Sequence, residues 1–146
     1  MGWTANDIPD QTGRIAMVTG ANGGLGLETS RALAAKGCHV VMAARNQTKA
    51  QQAFEDIRAG QPEASIEVRE LNLGSLSSVE TLANGVLTDF DRLDLLINNA
   101  GVMGIPRAET SDGFEMQFGV NHLGHYALTA RLLPLLTATS GSRVVA

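Results

Sequence analysis

The chain is poor in the residues that mark several large protein classes. It has one cysteine, Cys38, so no internal disulfide can form. Cys38 sits in an apolar stretch, and a buried, inert thiol in a reducing, cytoplasmic setting is expected. Aromatic residues make up 4% of the chain, which leaves the core to Ala, Val, Leu, Ile and Met. Lysine occurs only as Lys36 and Lys49, no basic run stands out, and the net charge is −4, so no nucleic-acid partner is expected. No apolar run approaches the ~20 residues of a membrane helix, so no membrane partner is expected either. Residues 1–10 carry acids and no apolar stretch, unlike a signal peptide. Asn6 stands where a myristoylation signal needs Ser or Thr. Repeats, low-complexity tracts and linkers are lacking too.

What remains is one domain's worth of chain, 146 residues, with 44% hydrophobic residues and 16 glycines. Short apolar runs alternate with amphipathic stretches. Residues 14–19 read as a strand. Residues 24–36 read as a helix with Leu25, Thr29, Ala32 and Leu33 on one face and Gly37 as its stop. Residues 38–43 form a second strand. Asn46 caps a helix to about residue 59, and residues 65–71 form a third strand. Ser75 opens a helix in which Leu76, Val79, Leu82, Val86 and Phe90 recur at spacings of three and four. Residues 93–97 are a nearly continuous apolar strand, as in a sheet covered on both faces. A long helix is expected from about residue 112 to 137, and residues 143–146 start a fifth strand. This alternation predicts an α/β fold, a parallel sheet with right-handed crossovers and helices on both faces.

Ligands of such sheets bind beyond the carboxyl ends of the strands. There, after the first strand, stands Thr19-Gly20-Ala21-Asn22-Gly23-Gly24-Leu25-Gly26. Gly20 suits a tight turn, Gly24 removes a side chain where backbone approaches a pyrophosphate, and Gly26 lets helix and strand pack closely. The helix start offers free N–H groups and partial positive charge to phosphates. The alternative is a purely structural glycine turn.

Sites for NAD place an acid roughly 20 residues on, at the end of the second strand. Here no Asp or Glu occurs between Thr29 and Phe54, and the position reads Ala43-Ala44-Arg45-Asn46. Without the carboxylate there is no repulsion, and Arg45 offers a planar cation to a 2′-phosphate. NADP is therefore favoured over NAD, against the alternative of a solvated surface arginine. Asn72-Leu73 follow the third strand, where the adenine should lie. Asn72 either bonds the ring's amino group through its side-chain carbonyl or serves as a turn residue. Asn98-Asn99-Ala100-Gly101 follow the fourth strand, and the small Ala-Gly pair admits the nicotinamide ribose. Cofactor contact is expected of Asn99, Ala100 and Gly101, and a structural role of Asn98.

Together TGANGGLG at residues 19–26, NNAG at 98–101 and VNHLGHYALT at 120–129 resemble the short-chain dehydrogenase/reductase family, over nearly the whole chain from about Gly13. AARN at 43–46 and VNHLGH look most like its retinol-dehydrogenase-like branch and bacterial relatives, which usually prefer NADP. The resemblance implies a Rossmann-type doubly wound sheet, here ordered 3-2-1-4-5, with later strands in complete members. It implies a small-molecule carbonyl or alcohol substrate, and a homo-oligomer for the complete protein. It also implies a catalytic set of Asn, Ser, Tyr and Lys, of which only the Asn has a counterpart, Asn121. The bland alternative for Asn121 is a helix-bending residue satisfied by backbone. The only tyrosine, Tyr126, is followed four residues later by Ala130, not lysine. Gly23 stands where the branch often has Ser, and Asn72 where Asp is usual. His122 and His125, three apart, could share a helix face, but no Cys or carboxylate cluster accompanies them, and no metal site is expected.

Residues 1–146 thus read as an NADP-binding domain, incomplete before the serine strand and the Tyr-x-x-x-Lys helix. The first functional reading is the cofactor-binding half of an NADP(H)-dependent oxidoreductase, inactive alone. The second is a noncatalytic NADP-binding or partner-binding fragment, for which an exposed fifth strand predicts aggregation or a molten state. An extended-type epimerase or reductase domain is a third, fitted less well by NNAG and the acid-free second strand.

Overall fold

The computed structural model describes residues 2–146. A 3-10 turn, Ala5–Asp7, precedes β1 (Ile15–Thr19), α1 (Gly24–Ala34), β2 (His39–Ala44), α2 (Gln47–Gly60), β3 (Ile66–Glu70), α3 (Leu76–Asp89) and β4 (Leu95–Ile97). A one-turn helix α4 (Met116–Phe118), a π-helical turn (Gly119–Gly124), α5 (His125–Ala138) and β5 (Arg143–Val145) complete the chain. All strand pairs are parallel, in the order β3-β2-β1-β4-β5, as expected for a doubly wound sheet. No helix among the described residues is long and apolar enough to cross a membrane.

The alternation of side chains along β1 builds two cores. Ala16 and Val18 face one layer with Val40, Met42, Leu33 of α1 and Ile57 of α2. Met17 faces the other, with Val41, Leu96, Val86 of α3, and Leu128 and Leu132 of α5. β1 and β2 are therefore almost wholly buried, while the edge strand β3 is only half buried. β5 forms the opposite edge, with Val144 and Val145 exposed.

Most helix ends follow their expected capping residues. Asn46 Oδ1 accepts the Lys49 N–H at 2.9 Å, and the Ser75 hydroxyl accepts the Ser78 N–H at 3.4 Å. Two expectations need correction. The buried face of α1 is Gly26, Ser30, Leu33 and Ala34, not the face carrying Leu25, whose side chain is 80% exposed. Close packing of the glycine turn selects small residues, and Ser30 satisfies its hydroxyl on the Gly26 carbonyl at 2.8 Å. The long helix starts at Met116, not near residue 112. Residues 110–113 form a turn, Glu115 caps the Gln117 and Phe118 N–H groups, and Asp112 accepts from Leu76 N–H at 2.8 Å, at the start of α3. The helix is also broken by the π turn around Asn121.

At the opposite end of the sheet from the glycine motif, Asp94 is 1% exposed. It accepts from the Ile15 N–H at 2.9 Å and from Arg92 Nε and Nη2 at 2.9 and 2.7 Å, with Arg14 at 3.4 Å. Burial pushes this carboxyl up, but the Arg92 and Ile15 hydrogen bonds and the two guanidinium charges outweigh it and hold it below its ordinary 3.8. The stabilisation is therefore present above pH 3.8 and is lost as pH falls through the lowered value. Asp94→Ala strands the Ile15 N–H and should destabilise the fold by roughly 2–4 kcal/mol. The difference from wild type, measured by urea denaturation, should shrink as pH falls below 3.8 by the same linkage.

Candidate functional site

The glycine turn works because three backbone segments touch. Gly20 takes φ +68 and donates its N–H to the Ala43 carbonyl at 2.8 Å, joining the ends of β1 and β2. A Cβ on Gly20 would lie 3.0 Å from Ala100 Cα. A Cβ on Gly26 would collide with the Gly20 carbonyl oxygen and lie 2.6 Å from Asn99 Nδ2. The first turn of α1 is thereby seated against the carboxyl end of β1. Its free N–H groups lie beside a cleft of about 420 Å³ that opens where β1, β2, β3 and β4 end.

Of the residues singled out from sequence, Gly20, Asn22, Gly23, Arg45, Asn46, Asn72, Leu73, Asn99, Ala100 and Gly101 line this one cleft. Gly24, Leu25 and Gly26 do not. Gly26 is packed behind the turn, and the Leu25 side chain faces an apolar hollow shared with Trp3, Ile8 and Leu95 rather than the cleft. The side-chain carbonyl of Asn72 accepts the Gly74 N–H at 3.0 Å and its backbone N–H bonds Ser78 Oγ at 2.9 Å, the geometry of a turn residue. The Asn46 carbonyl is likewise committed, to the cap of α2.

Asn98 holds structure: its Nδ2 donates to Thr129 Oγ1 at 3.1 Å, tying β4 to α5. Asn99 Nδ2 donates to the Thr19 carbonyl at 2.9 Å. The backbone N–H groups of Asn99 and Ala100 both donate to Thr19 Oγ1 at 3.0 Å. Asn121 meets the Val102 backbone twice at 2.8 Å, accepting through Oδ1 and donating through Nδ2. It thus holds the loop just past the NNAG motif. His122 stacks on Phe118 with ring centroids 5.2 Å apart, whereas His125 is buried, so the two imidazoles do not converge. Burial holds the His125 imidazole below its ordinary 6.5, with the Asn121 carbonyl pulling the other way.

Five contributors were missed in the sequence. Leu71, Val102 and Val120 line the cleft as ordinary apolar positions do. Lys49 lines it from the first turn of α2, four residues after Arg45, and that repeated cation beyond an acid-free strand was a readable signal. Thr19 was quoted only as the head of the glycine motif. Among the described residues neither Arg45 nor Lys49 has an ion-pair partner, and the cleft lining contains no carboxylate.

Gly26→Ala should destabilise the chain by about 1–3 kcal/mol, because its methyl meets a carbonyl that cannot move aside. Gly23→Ala, with open space around the added methyl, should be close to neutral. Thermal denaturation of the two variants checks the contrast.

A family model for short chain dehydrogenase matches residues 14–146. Human retinol dehydrogenase 13 is 45% identical over 133 residues, covering 91% of this chain and 40% of the relative. The chain thus spans about two fifths of the length of the curated relatives it matches. A protein of Mycobacterium paratuberculosis superimposes with a TM-score of 0.81 at 49% identity, covering 92% of this chain and 47% of that one. A metagenomic short-chain oxidoreductase crystallised in complex with NADP superimposes at 0.80 with 28% identity, covering 92% and 61%. With the parallel sheet, the glycine turn and the NNAG loop in their places, the chain belongs to the short-chain dehydrogenase/reductase family.

Proposed function

We propose that this chain is the cofactor-binding portion of an NADP(H)-dependent oxidoreductase that interconverts a small-molecule carbonyl and alcohol. The observation that carries the choice of cofactor is the pairing of Arg45 and Lys49, both without ion-pair partners, in a cleft whose lining has no carboxylate. A 2′-phosphate there meets two cations and no repulsion. The likeness to an oxidoreductase solved with NADP supports the same reading.

The residues present fit the group. The pyrophosphate would lie at the first turn of α1, on backbone N–H groups that the glycines leave open. The adenine would lie by Asn72 and Leu73, and the nicotinamide ribose by Asn99, Ala100 and Gly101. When bound, the nicotinamide supplies or takes up a hydride. This chain's residues bind and orient it: Asn99 and Ala100 are held on Thr19, and Asn121 holds Val102 at the nicotinamide end. Asn121 is the one member of the family's catalytic set among these residues. Tyr126 is exposed on α5 and has Ala130 where a lysine partner would stand. On its own the 146-residue chain is therefore expected to bind NADPH without reducing carbonyls. A reducing, cytoplasmic setting is proposed on the single cysteine of this chain, and burial pushes that thiol, Cys38, up to about 11, which leaves it unreactive.

NADPH titration by fluorescence tests the proposal. Arg45→Glu and Lys49→Glu should each weaken NADPH by about tenfold or more, near 1.4 kcal/mol. Affinity for NADH, which lacks the 2′-phosphate, should change far less. Equal losses for both cofactors would remove the two cations from the 2′-phosphate site.

A further inference from the structure

We propose that His125 is a positioning residue that holds the Asn99–Ala100 loop of the cofactor cleft through the hydroxyl of Thr19. The inference rests on the reading of the cleft as a nicotinamide cofactor site.

The argument is a count of protons and lone pairs. A threonine hydroxyl has one hydrogen to give and two lone pairs to receive. Both lone pairs of Thr19 Oγ1 are engaged at 3.0 Å, one by the Ala100 N–H and one by the Asn99 N–H, which it shares with the Ile97 carbonyl, also at 3.0 Å. Its hydrogen therefore needs an acceptor. His125 Nε2 lies 2.8 Å away, and the Ile97 carbonyl, at 3.4 Å, is a poorer one. The other ring nitrogen, Nδ1, lies 3.1 Å from the Asn121 carbonyl, which can only accept. The arrangement is satisfied by a single form of the ring, neutral, with its proton on Nδ1 and Nε2 accepting from Thr19. Histidine is 6% exposed at this position, so water does not substitute for either partner.

Adding a second proton, to Nε2, reverses one bond. Nε2–H then points at an oxygen whose lone pairs are both occupied. Either the contact with Thr19 is lost or one of the two loop N–H groups must be released. The loop is not free to shift without consequence, because Ala100 packs against Gly20 and Gly101 lies under Asn121. From β1 the ring meets the Thr19 hydroxyl, and from its own helix the Asn121 carbonyl. Neither ionises, and no charged side chain contributes to the lowered basicity of the ring. The neutral form is thus the resting form at neutral pH, and the clamp loosens in acid.

The test uses the 146-residue chain, NADP+ as ligand, and two variants. His125→Gln keeps an acceptor near the position of Nε2 but cannot titrate; His125→Leu removes the acceptor. The 2′-phosphate itself titrates near pH 6, so the readout is the ratio of wild-type to variant affinity, in which the ligand's own titration cancels. Wild type and His125→Gln should bind alike at pH 7.5. As pH falls through the imidazole's lowered titration point, wild type should weaken relative to His125→Gln by up to about tenfold per pH unit below that point. His125→Leu should be weaker at pH 7.5 and run parallel to His125→Gln in acid. A second readout needs no cofactor: as pH is lowered until the His125 ring's own signals show it gaining its second proton, the Asn99 and Ala100 amide signals in 1H–15N spectra should move in step with the ring, and stay still in His125→Gln. Amides that do not move, or a wild-type profile parallel to that of His125→Gln, overturn the proposal. Amides that move in a chain that fails to bind NADP+ leave the clamp standing and overturn the cofactor reading.

Discussion

The carboxyl end of the sheet depends on how closely the first turn of α1 approaches β1. Gly26 sits where any side chain would strike the Gly20 carbonyl, and Asn99 reaches over both to bond the Thr19 carbonyl. That contact sets the angle at which the helix leaves the sheet. It also brings the NNAG loop, 80 residues away in sequence, against the glycine turn. A cleft lined by backbone can form only if bulky side chains are kept out at these positions, and the small residues at Gly20, Gly26 and Ala100 do this together. The buried stripe of α1 continues the theme with Ser30 and Ala34, so the helix lies near the sheet along its length.

Charge is distributed with the same economy. The chain carries a net −4, yet its acids lie away from the cleft lining. Asp94 is buried at the amino ends of β1 and β4, where it bonds the Ile15 N–H and two arginines. Glu67 and Asp89 are both paired to Arg69, whose guanidinium also lies 5.0 Å over the Phe90 ring. Arg31 is paired to Glu28 and Asp56. Arg45, just past the end of β2, and Lys49 of α2 face the cleft without ion-pair partners. That end of the cleft holds two cations and no carboxylate although the chain is negative, a local arrangement that net charge does not reveal.

Features set by local chemistry were legible in the sequence. Apolar runs marked all five strands, Asn46 and Ser75 marked helix starts, and the glycine spacing marked the turn. Features set by distant partners were not. Of the α1 face sought at Leu25, Thr29, Ala32 and Leu33, only Leu33 is buried, beside the small Gly26, Ser30 and Ala34 that close packing selects. Asp112 looked like the start of its own helix because its partner, Leu76 N–H, lies 36 residues back. The π turn at Gly119–Gly124 was not read from the sequence, because only six residues carry it and too few apolar positions flank it to show the change of phase. Asn72 offered two readings of equal standing, and only the Gly74 bond separated the turn role from the free carbonyl. The partnership of Thr19 and His125 spans 106 positions and could not be found from spacing.

The cap that Asp112 supplies to α3 joins two regions with no obvious business together. Residues 102–115 leave the cleft at Val102, which Asn121 grips, and return to the body of the protein at Leu76 and Glu115. This loop is fastened at both ends by side-chain bonds to helices. Tension or slack introduced at one fastening therefore reaches the other through a short tether. A displacement at the Val102 end of the cleft has a route through this loop to the first turn of α3, on the face of the sheet remote from the glycine turn. In hydrogen exchange that route would make the Leu76 amide a distant reporter of what happens beside Val102.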